Sequence, residues 1–272
     1  MLMFENAVWT RSFYGVGRKR RTTVVGLATL TSALLLVGML SNPAPAYAAV
    51  TSTVNLGAAA SFSVLAGGAV TMGAGATVSA NVGVSPGPAV TGPTDANVGG
   101  EVHRNDAEAI QAQSDLLVAY NDAAGRASTA VTADLGGQVL ASGVYHSAAA
   151  FALTTMLTLD GRGNSDAVFI FQTDAALNTT ASSRVILTGN AQASNVFWQV
   201  TAAATLGENS TFAGTILAKE AITTGAGTTV NGRALSYTAA AAVTLGAKST
   251  FTGVRACEFL TRRYCDLWGL RV

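Results

Sequence analysis

The chain has 272 residues, of which 49% are hydrophobic and only 11% are charged, and its formal net charge is +1. This composition excludes an intrinsically disordered chain, which would be rich in charge and poor in apolar residues. The 29 glycines do not recur at every third position, which excludes a collagen. A near-neutral charge provides no basic surface, so we expect no nucleic-acid partner.

Residues 1–48 have the pattern of an N-terminal extension followed by a secretory signal peptide. The basic run RKRR at 18–21 precedes an apolar stretch, and SNPAPAYA at 41–48 ends in a small-x-small cleavage site at Ala48. The alternative is a membrane anchor, because the apolar stretch is about long enough to span a bilayer. Glycine, serine and threonine dilute that stretch. We therefore favour cleavage near Ala48, a secreted extracellular product and no membrane association after cleavage.

Four later stretches share the order Thr, any residue, Gly, and then a second hydroxyl-rich segment. They are TMGAGATVSA at 71–80, TLGENSTFAG at 205–214, TTGAGTTVNG at 223–232 and TLGAKSTFTG at 244–253. Strand-like runs such as VFWQVT at 196–201 separate them, so a unit of 18–28 residues recurs. Repeats of this length are typical of a stacked solenoid, in which each turn buries its apolar side chains against its neighbours. We predict one mainly β domain, a parallel β-solenoid, over residues 49–253.

Alternation within these stretches predicts which side chains face the core. Apolar positions such as Val70, Met72, Phe212 and Phe251 are assigned inward, so the threonines between them face outward. Stacking of the coils then aligns two outward rows. The first ladder comprises Thr71, Thr205, Thr223 and Thr244, and the second comprises Thr77, Thr211, Thr229 and Thr250, with Ser79, Asn231 and Thr252 beside it.

Residues 105–128 are predicted to form one long α-helix between the first threonine stretch and the later ones. Ala109, Leu116 and Tyr120 recur at helical spacing. Asn105 followed by Glu108 resembles a capping box at the start of the helix. We expect this helix to lie along an open side of the solenoid and to cover its apolar surface.

The residues that suit catalysis or metal binding are few and scattered. His103 and His146 are interpreted as surface or loop residues, and Asp160 and Asp166 as parts of a turn around GNSDA at 163–167. We therefore expect no metal, no cofactor and no enzymatic activity. The tail, residues 254–272, either caps the last coil or results from a shifted reading frame. Its Cys257 and Cys265 are able to pair as a disulfide in an oxidising compartment.

Several segments between residues 54 and 253 resemble, in unbroken order, the microbial secreted ice-binding (antifreeze) proteins. These segments are VLAGGAVTMGAGATVSANVGVSPGPAVTG at 64–92, DLGGQVLASGVY at 134–145, LTLDGRGNSDAVFIFQT at 157–173 and GNAQASNVFWQVTAAATLGENSTFAGTILA at 189–218. The resemblance implies a discontinuous right-handed parallel β-helix of triangular section with one long α-helix packed alongside. It also implies adsorption to the surface of ice crystals, which slows ice growth or recrystallisation.

The threonine ladders agree with that resemblance, because Thr has a restricted χ1 and offers a methyl and a hydroxyl together. Glu208 and Lys248 interrupt the corners, and the sequence does not choose between the two ladders. The alternative function is a cell-surface or matrix adhesin, or a rigid spacer, without ice activity. Trp198, Phe197 and Tyr237 are the candidates for an aromatic row that binds carbohydrate. We expect a monomer whose partner is the ice surface.

Overall fold

The computed structural model describes residues 51–92 and 97–252. This part of the chain contains one α-helix, α1 (Ala107–Gly125), and two short 3₁₀ helices, Gly57–Ser61 and Ala193–Asn195. In chain order the strands are β1 (Phe62–Ala66), β2 (Ala69–Met72), β3 (Thr77–Val78), β4 (Asn81–Val84), β5 (Ala89–Thr91), β6 (Val102–Arg104), β7 (Thr129–Ala130), β8 (Val139–Ala141), β9 (Gly143–Ser147), β10 (Phe151–Leu153), β11 (Met156–Asp160), β12 (Phe169–Thr173), β13 (Leu177–Thr179), β14 (Arg184–Thr188), β15 (Val196–Val200), β16 (Ala204–Leu206), β17 (Thr211–Ala218), β18 (Ile222–Thr224), β19 (Thr229–Ser236), β20 (Ala242–Leu245) and β21 (Thr250–Thr252).

These strands stack in three columns, and the pairs between them are parallel. The helix column has the spatial order β6-β4-β1-β19-β17-β15-β12-β9-β7. The first face is a seven-stranded sheet in the order β10-β13-β16-β18-β20-β2-β5. The second face runs β8-β11-β14-β17-β19-β21-β3, and the long strands β17 and β19 continue from it into the helix column. The predicted mainly β architecture with parallel strands and one helix is confirmed.

The order of the coils in space differs from their order in the chain. Strands β1, β2 and β3 form the first coil of the chain, and they pair with β19, β20 and β21 of the last coil. After β6 the chain enters α1, and it resumes with β7 at the opposite end of the helix column. The stack is therefore built from two separate parts of the chain that meet at one seam, between β20 and β2 on the first face.

The interior of the stack is filled by the apolar side chains that alternation assigned inward. Val70, Met72, Phe212 and Phe251 are all at most 5% exposed. Aromatic rings form the centre of the core: Trp198 stacks on Phe171, with ring centroids 4.1 Å apart. Alternation is a reliable guide here because consecutive strand residues point to opposite sides of the backbone.

The helix α1 covers the helix column and forms a second apolar layer with it. Its buried residues Leu116 and Tyr120 share a cluster with Leu65, Leu217 and Leu235, which project outward from three adjacent strands. The prediction that the helix covers an apolar side of the stack is therefore confirmed. The two remaining columns keep their outward side chains free of the helix, and these columns are the first and second faces.

The start of α1 differs from the predicted capping box. The N-cap is Asp106, whose Oδ1 accepts a hydrogen bond from the Ala109 amide at 3.0 Å, whereas Asn105 has a φ of 52° and lies outside the helix. This backbone hydrogen bond is the main reason that the pKa of Asp106 lies below its usual value, and the bond to His103 adds to it. Asn and Asp are both favourable N-cap residues, so the predicted cap lies one residue before the observed one.

Three predictions concern residues outside the described ranges: the signal peptide at 1–48, the tail at 254–272, and the pairing of Cys257 with Cys265. In the described part of the chain, no helix is both long and apolar enough to cross a membrane. Strand β21, the last described strand, pairs with β19 on one side and with β3 on the other.

Candidate functional site

The first face carries an unbroken row of five threonines. The strand registers pair Thr205 with Thr223, Thr223 with Thr244, Thr244 with Thr71, and Thr71 with Thr91. Four of these side chains are exposed and Thr244 is half-buried. The hydroxyl of Thr91 donates a hydrogen bond to that of Thr71 at 3.3 Å. The four predicted members of the first ladder are therefore adjacent, and the seam between the two parts of the chain lies inside the row.

Thr91 is the member of this row that sequence reasoning missed. It follows Ala89 and Val90, in the same Ala-Val-Thr order as residues 69–71 and 242–244. The Gly follows Thr91 directly, as Gly92, instead of after one intervening residue, so the stretch does not match the Thr-x-Gly pattern. The Ala-Val-Thr order was the signal that could have found it.

Small residues flank the first ladder on both sides. Ala69, Ala89 and Ala242 align beside it in neighbouring strands. On the other side lies a column of glycines, each followed by a corner of the coil. A Cβ atom on Gly207 or Gly225 would lie 2.3 or 2.5 Å from the backbone of the next coil, so any larger residue would push the coils apart. Because the flanking side chains are so small, the threonine side chains project from an otherwise flat surface.

Charged side chains lie outside the seven strands of the first face. None of its seven strands contains a charged residue. Glu208 and Lys248, which interrupt the pattern in the sequence, lie beyond the glycine column in exposed corner turns. Past Thr205 the row continues through Asn178 and Ala152 before an isolated bridge brings Asp134 into line.

The second face also aligns its predicted threonines but is interrupted sooner. Thr211, Thr229, Thr250 and Thr77 pair in sequence across β17, β19, β21 and β3. The next residue of this row after Thr211 is Arg184, an exposed cation on β14. All four threonines of the second ladder therefore face outward, as alternation predicted. The charged Arg184 lies only one strand from the end of their row.

The row beside the second ladder is shorter. Asn231 pairs with Thr252, and the amide of Ser79 donates to the Phe251 carbonyl in the next strand. Ala213 occupies the corresponding position on β17 and is only 5% exposed. The paired rows of polar side chains are thus confined to three strands.

The aromatic residues proposed for carbohydrate binding do not form an outer row. Trp198 and Phe197 are each 1% exposed, the first inside the core and the second under α1. Tyr237 packs against Tyr120 with ring centroids 4.8 Å apart. Burial raises the pKa of Tyr237 to about 12, with the neighbouring Tyr120 contributing. These three side chains serve packing in the described structure.

The interpretation of His103 as a surface or loop residue is wrong. It lies on β6, is 8% exposed, packs against Phe62 and contacts the Asp106 carboxylate through Nδ1 at 2.9 Å. Ligand atoms of His103, Asp106 and Glu108 lie within 4.8 Å of one another, a proximity that sequence spacing did not reveal. The contacts of His103 hold the start of α1 against β1 and β6, which accounts for its burial.

His146 and the two aspartates have modest local roles. His146 lies in β9 rather than in a loop, and its Nε2 is 3.3 Å from the Asp174 carboxylate. Asp160 accepts a hydrogen bond from the Arg162 amide at 2.8 Å. The Asp166 amide donates to the Asn164 side chain at 2.9 Å, so the 163–167 segment is a turn, as predicted.

Residues 64–252 match the ice-binding-like family. The chain belongs to this family. It is 42% identical over 132 residues to an ice-binding protein of Colwellia sp, covering 47% of this chain and 51% of that protein. It is 42% identical over 144 residues to an ice-binding protein of Nostoc sp. (strain HG1), covering 52% of this chain and 53% of that protein. The chain thus spans about half the length of these curated relatives.

Solved structures of ice-binding proteins share the fold over a larger part of their length. A crystal structure from an Antarctic biological consortium superposes with a TM-score of 0.71 at 36% identity, covering 75% of this chain and 92% of that one. The ice-binding protein of the Antarctic ascomycete Antarctomyces psychrotrophicus superposes with a TM-score of 0.67 at 35% identity, covering 75% and 99%. The family match ends at residue 252, so the tail lies beyond it.

Proposed function

We propose that this protein is a secreted ice-binding protein that adsorbs to ice through the first face and thereby slows ice growth or recrystallisation. The observation that carries the proposal is the row of five threonines across consecutive strands of a sheet without charged residues. Membership of the ice-binding-like family supports the same target.

The geometry of the first ladder suits a periodic solid ligand. Neighbouring strands repeat at about 4.8 Å, so five threonines place equivalent hydroxyls and methyls along about 19 Å. The β-branched side chain has few χ1 rotamers, so little entropy is lost when it is ordered against a surface. Methyl groups favour ordered water around them and hydroxyls fix that water by hydrogen bonds, as bridging waters do in other interfaces. An ordered layer of this kind merges with the ice lattice.

The first face is favoured over the second because of its continuity. A charged group binds its hydration water strongly and in its own geometry, which opposes a lattice of neutral oxygen atoms. Arg184 places such a group one strand from Thr211 on the second face. On the first face the nearest charge in the row, Asp134, is three strands from Thr205. The first face therefore offers the longer neutral row.

The remaining parts of the proposal are supported by the sequence pattern and by general rules of chain topology. We infer a right-handed solenoid of triangular section, because crossover connections between parallel strands are right-handed in almost all proteins. The signal peptide is cleaved near Ala48 and the product is extracellular. The mature protein acts as a monomer, without a cofactor and without catalysis, since ice adsorption requires only a surface.

The growth of a single ice crystal in a solution of the purified protein tests this function. Faceted crystals, with a gap between the melting and growth temperatures, are the expected result. A recrystallisation assay on frozen sucrose solutions provides a second measurement at lower protein concentration. Round crystals that grow at the melting temperature, together with unchanged recrystallisation, would contradict the proposal and favour the adhesin or spacer.

A further inference from the structure

The outer surface of α1 carries an unusual share of exposed apolar side chains. Of the described residues, five large apolar side chains are markedly exposed, and three of them, Ile110, Leu117 and Val118, lie on α1. Their exposures are 53%, 43% and 66%. The spacing i, i+7 and i+8 places them on one side of the helix, opposite the buried Leu116 and Ala119. These three side chains, with the exposed Ser114 between them, form the apolar stripe of α1 that faces away from the stack.

We propose that the C-terminal tail of this chain, residues 253–272, docks on this stripe of α1. The tail carries large apolar residues that match the stripe in character, among them Phe259, Leu260, Leu267 and Trp268. Covering the stripe removes apolar surface from water on both partners. A tail docked in this way lies on the helix side of the molecule, away from the two threonine faces.

The exit point of the tail lies within reach of α1. Thr252 pairs with Asn231, and five residues later in the same strand the Ser236 carbonyl accepts a hydrogen bond from Gln113 of α1 at 3.2 Å. Five strand residues cover about 17 Å. The 20 residues after Thr252 extend to about 66 Å, whereas α1 with its 19 residues is about 28 Å long. The tail is therefore long enough to follow the helix over its whole length.

The charges of the two parts are complementary. Residues 49–252 contain twelve acidic and seven basic side chains, whereas the tail contains two acidic side chains and four arginines. Around the N-terminal half of α1, Glu101 and Glu108 are exposed and Asp115 is half-buried, whereas Arg104 is the one exposed cation among the described residues there. A basic apolar segment is attracted to an acidic apolar surface, and an effective concentration set by the covalent link strengthens the contact.

The last described strand, β21, has both of its edges paired. Strand β19 occupies one edge and β3 the other, so β21 offers no free edge to a further strand, and we place the tail on the helix instead. The family match ends at residue 252, so the proposed docking segment lies outside the part of the chain that the family model matches. Docking of the tail is independent of ice binding and is measured without ice.

Tryptophan fluorescence tests the docking directly. In the full chain carrying Trp9→Phe, the remaining tryptophans are Trp198 and Trp268, and Trp198 is only 1% exposed. Quenching by iodide therefore reports on Trp268, and a Trp268→Phe chain confirms the assignment. In the chain that carries only Trp9→Phe, we expect iodide to quench the fluorescence of Trp268 weakly. Val118→Asp, which places an unpaired charge in the contact, should raise the undocked fraction by roughly tenfold or more.

Val139→Asp is the matched control, because Val139 is 69% exposed, close to the 66% of Val118, but lies on β8 at the end of the second face. It should leave the quenching of Trp268 unchanged, and Val118→Ser should raise it by less than Val118→Asp. Free quenching of Trp268 before any substitution would overturn the proposal. The proposal would also be overturned if Val118→Asp and Val139→Asp both raised the quenching of Trp268, or if neither of them did. Light scattering gives the molar mass of the unsubstituted protein. If that mass is a dimer's while Trp268 is shielded from iodide, a second copy of the chain covers the stripe and the proposal is overturned.

Discussion

The first and second faces are made by the same coils, with the same residue at the same strand spacing, but they differ in what surrounds the threonines. On the first face the row lies between alanines and glycines, and no charge occurs within the sheet. On the second face an arginine follows the fourth threonine, and the second polar row stops at the buried Ala213. A threonine row alone therefore does not define a binding surface, since the neighbouring positions decide how far the surface extends.

Both faces share one core, so a core substitution should damage them together. Trp198→Ala removes a ring that stacks on Phe171 and whose Nε1 donates to the Ala213 carbonyl. We expect a loss of about 3–5 kcal/mol in the free energy of unfolding, measured by denaturant titration. Ice activity should fall in proportion to the folded fraction. A variant that keeps full stability would show that the two faces do not depend on the shared core.

Lengthening each row by one threonine sharpens the comparison. Asn178→Thr extends the first ladder from five to six, and Arg184→Thr extends the second from four to five while removing its charge. If each strand contributes one equivalent repeat, the first change raises the gap between melting and growth temperatures by roughly a fifth. The second change should have no effect.

The two positions are a matched pair because both are exposed and lie in adjacent strands of one coil, β13 and β14. Equal stability of the two variants is the necessary control. A larger gain from Arg184→Thr than from Asn178→Thr would reverse the assignment of the faces.

The smallest effect concerns Asp134, at the charged end of the first row. Hydrogen bonds from the Gly136 amide, which is the larger cause, and from the Thr154 hydroxyl hold the pKa of Asp134 below its usual value. Because the folded-state pKa is lower than the unfolded one, the stabilisation is complete above about pH 4 and is lost as pH falls through the folded pKa. Asp134→Asn should therefore weaken the loss of stability in acid, measured by thermal unfolding at several pH values.

At neutral pH the same variant tests whether the distant charge limits the first face. Asp134 lies three strands from Thr205, so the growth of ice crystals should be unchanged. An increase in activity would mean that the neutral region required by ice extends beyond the five threonines.

Local pattern was sufficient to predict the orientation of the side chains in both ladders. Val70 and Phe212 are buried and Thr71 and Thr211 face outward, because alternation is a property of the strand backbone itself. The presence of α1 was equally predictable from its apolar spacing. The predicted N-cap was Asn105, whereas the observed N-cap is the next residue, Asp106, because both residue types suit that position.

The order in which coils stack could not be read from the sequence. Thr71 lies next to Thr244 because β2 pairs with β20, and this contact joins residues more than 170 positions apart. The burial of His103 depends on the same long-range arrangement, in which α1 returns across β1 and β6. Thr91 was not predicted because Gly92 follows it directly, so the stretch does not match the Thr-x-Gly pattern. These features arise from packing between distant segments rather than from local preference.

The central claim is that the first face is the surface that meets ice, and one pair of substitutions tests it most directly. Thr223 and Thr229 are both exposed, belong to one coil and lie near the middle of the first and second ladders. Thr223→Tyr and Thr229→Tyr each place a bulky ring on one face. We predict that Thr223→Tyr abolishes most of the gap between melting and growth temperatures of a single ice crystal, while Thr229→Tyr leaves it close to that of the unsubstituted protein. Retention of the gap in Thr223→Tyr, with its loss in Thr229→Tyr, would contradict the account.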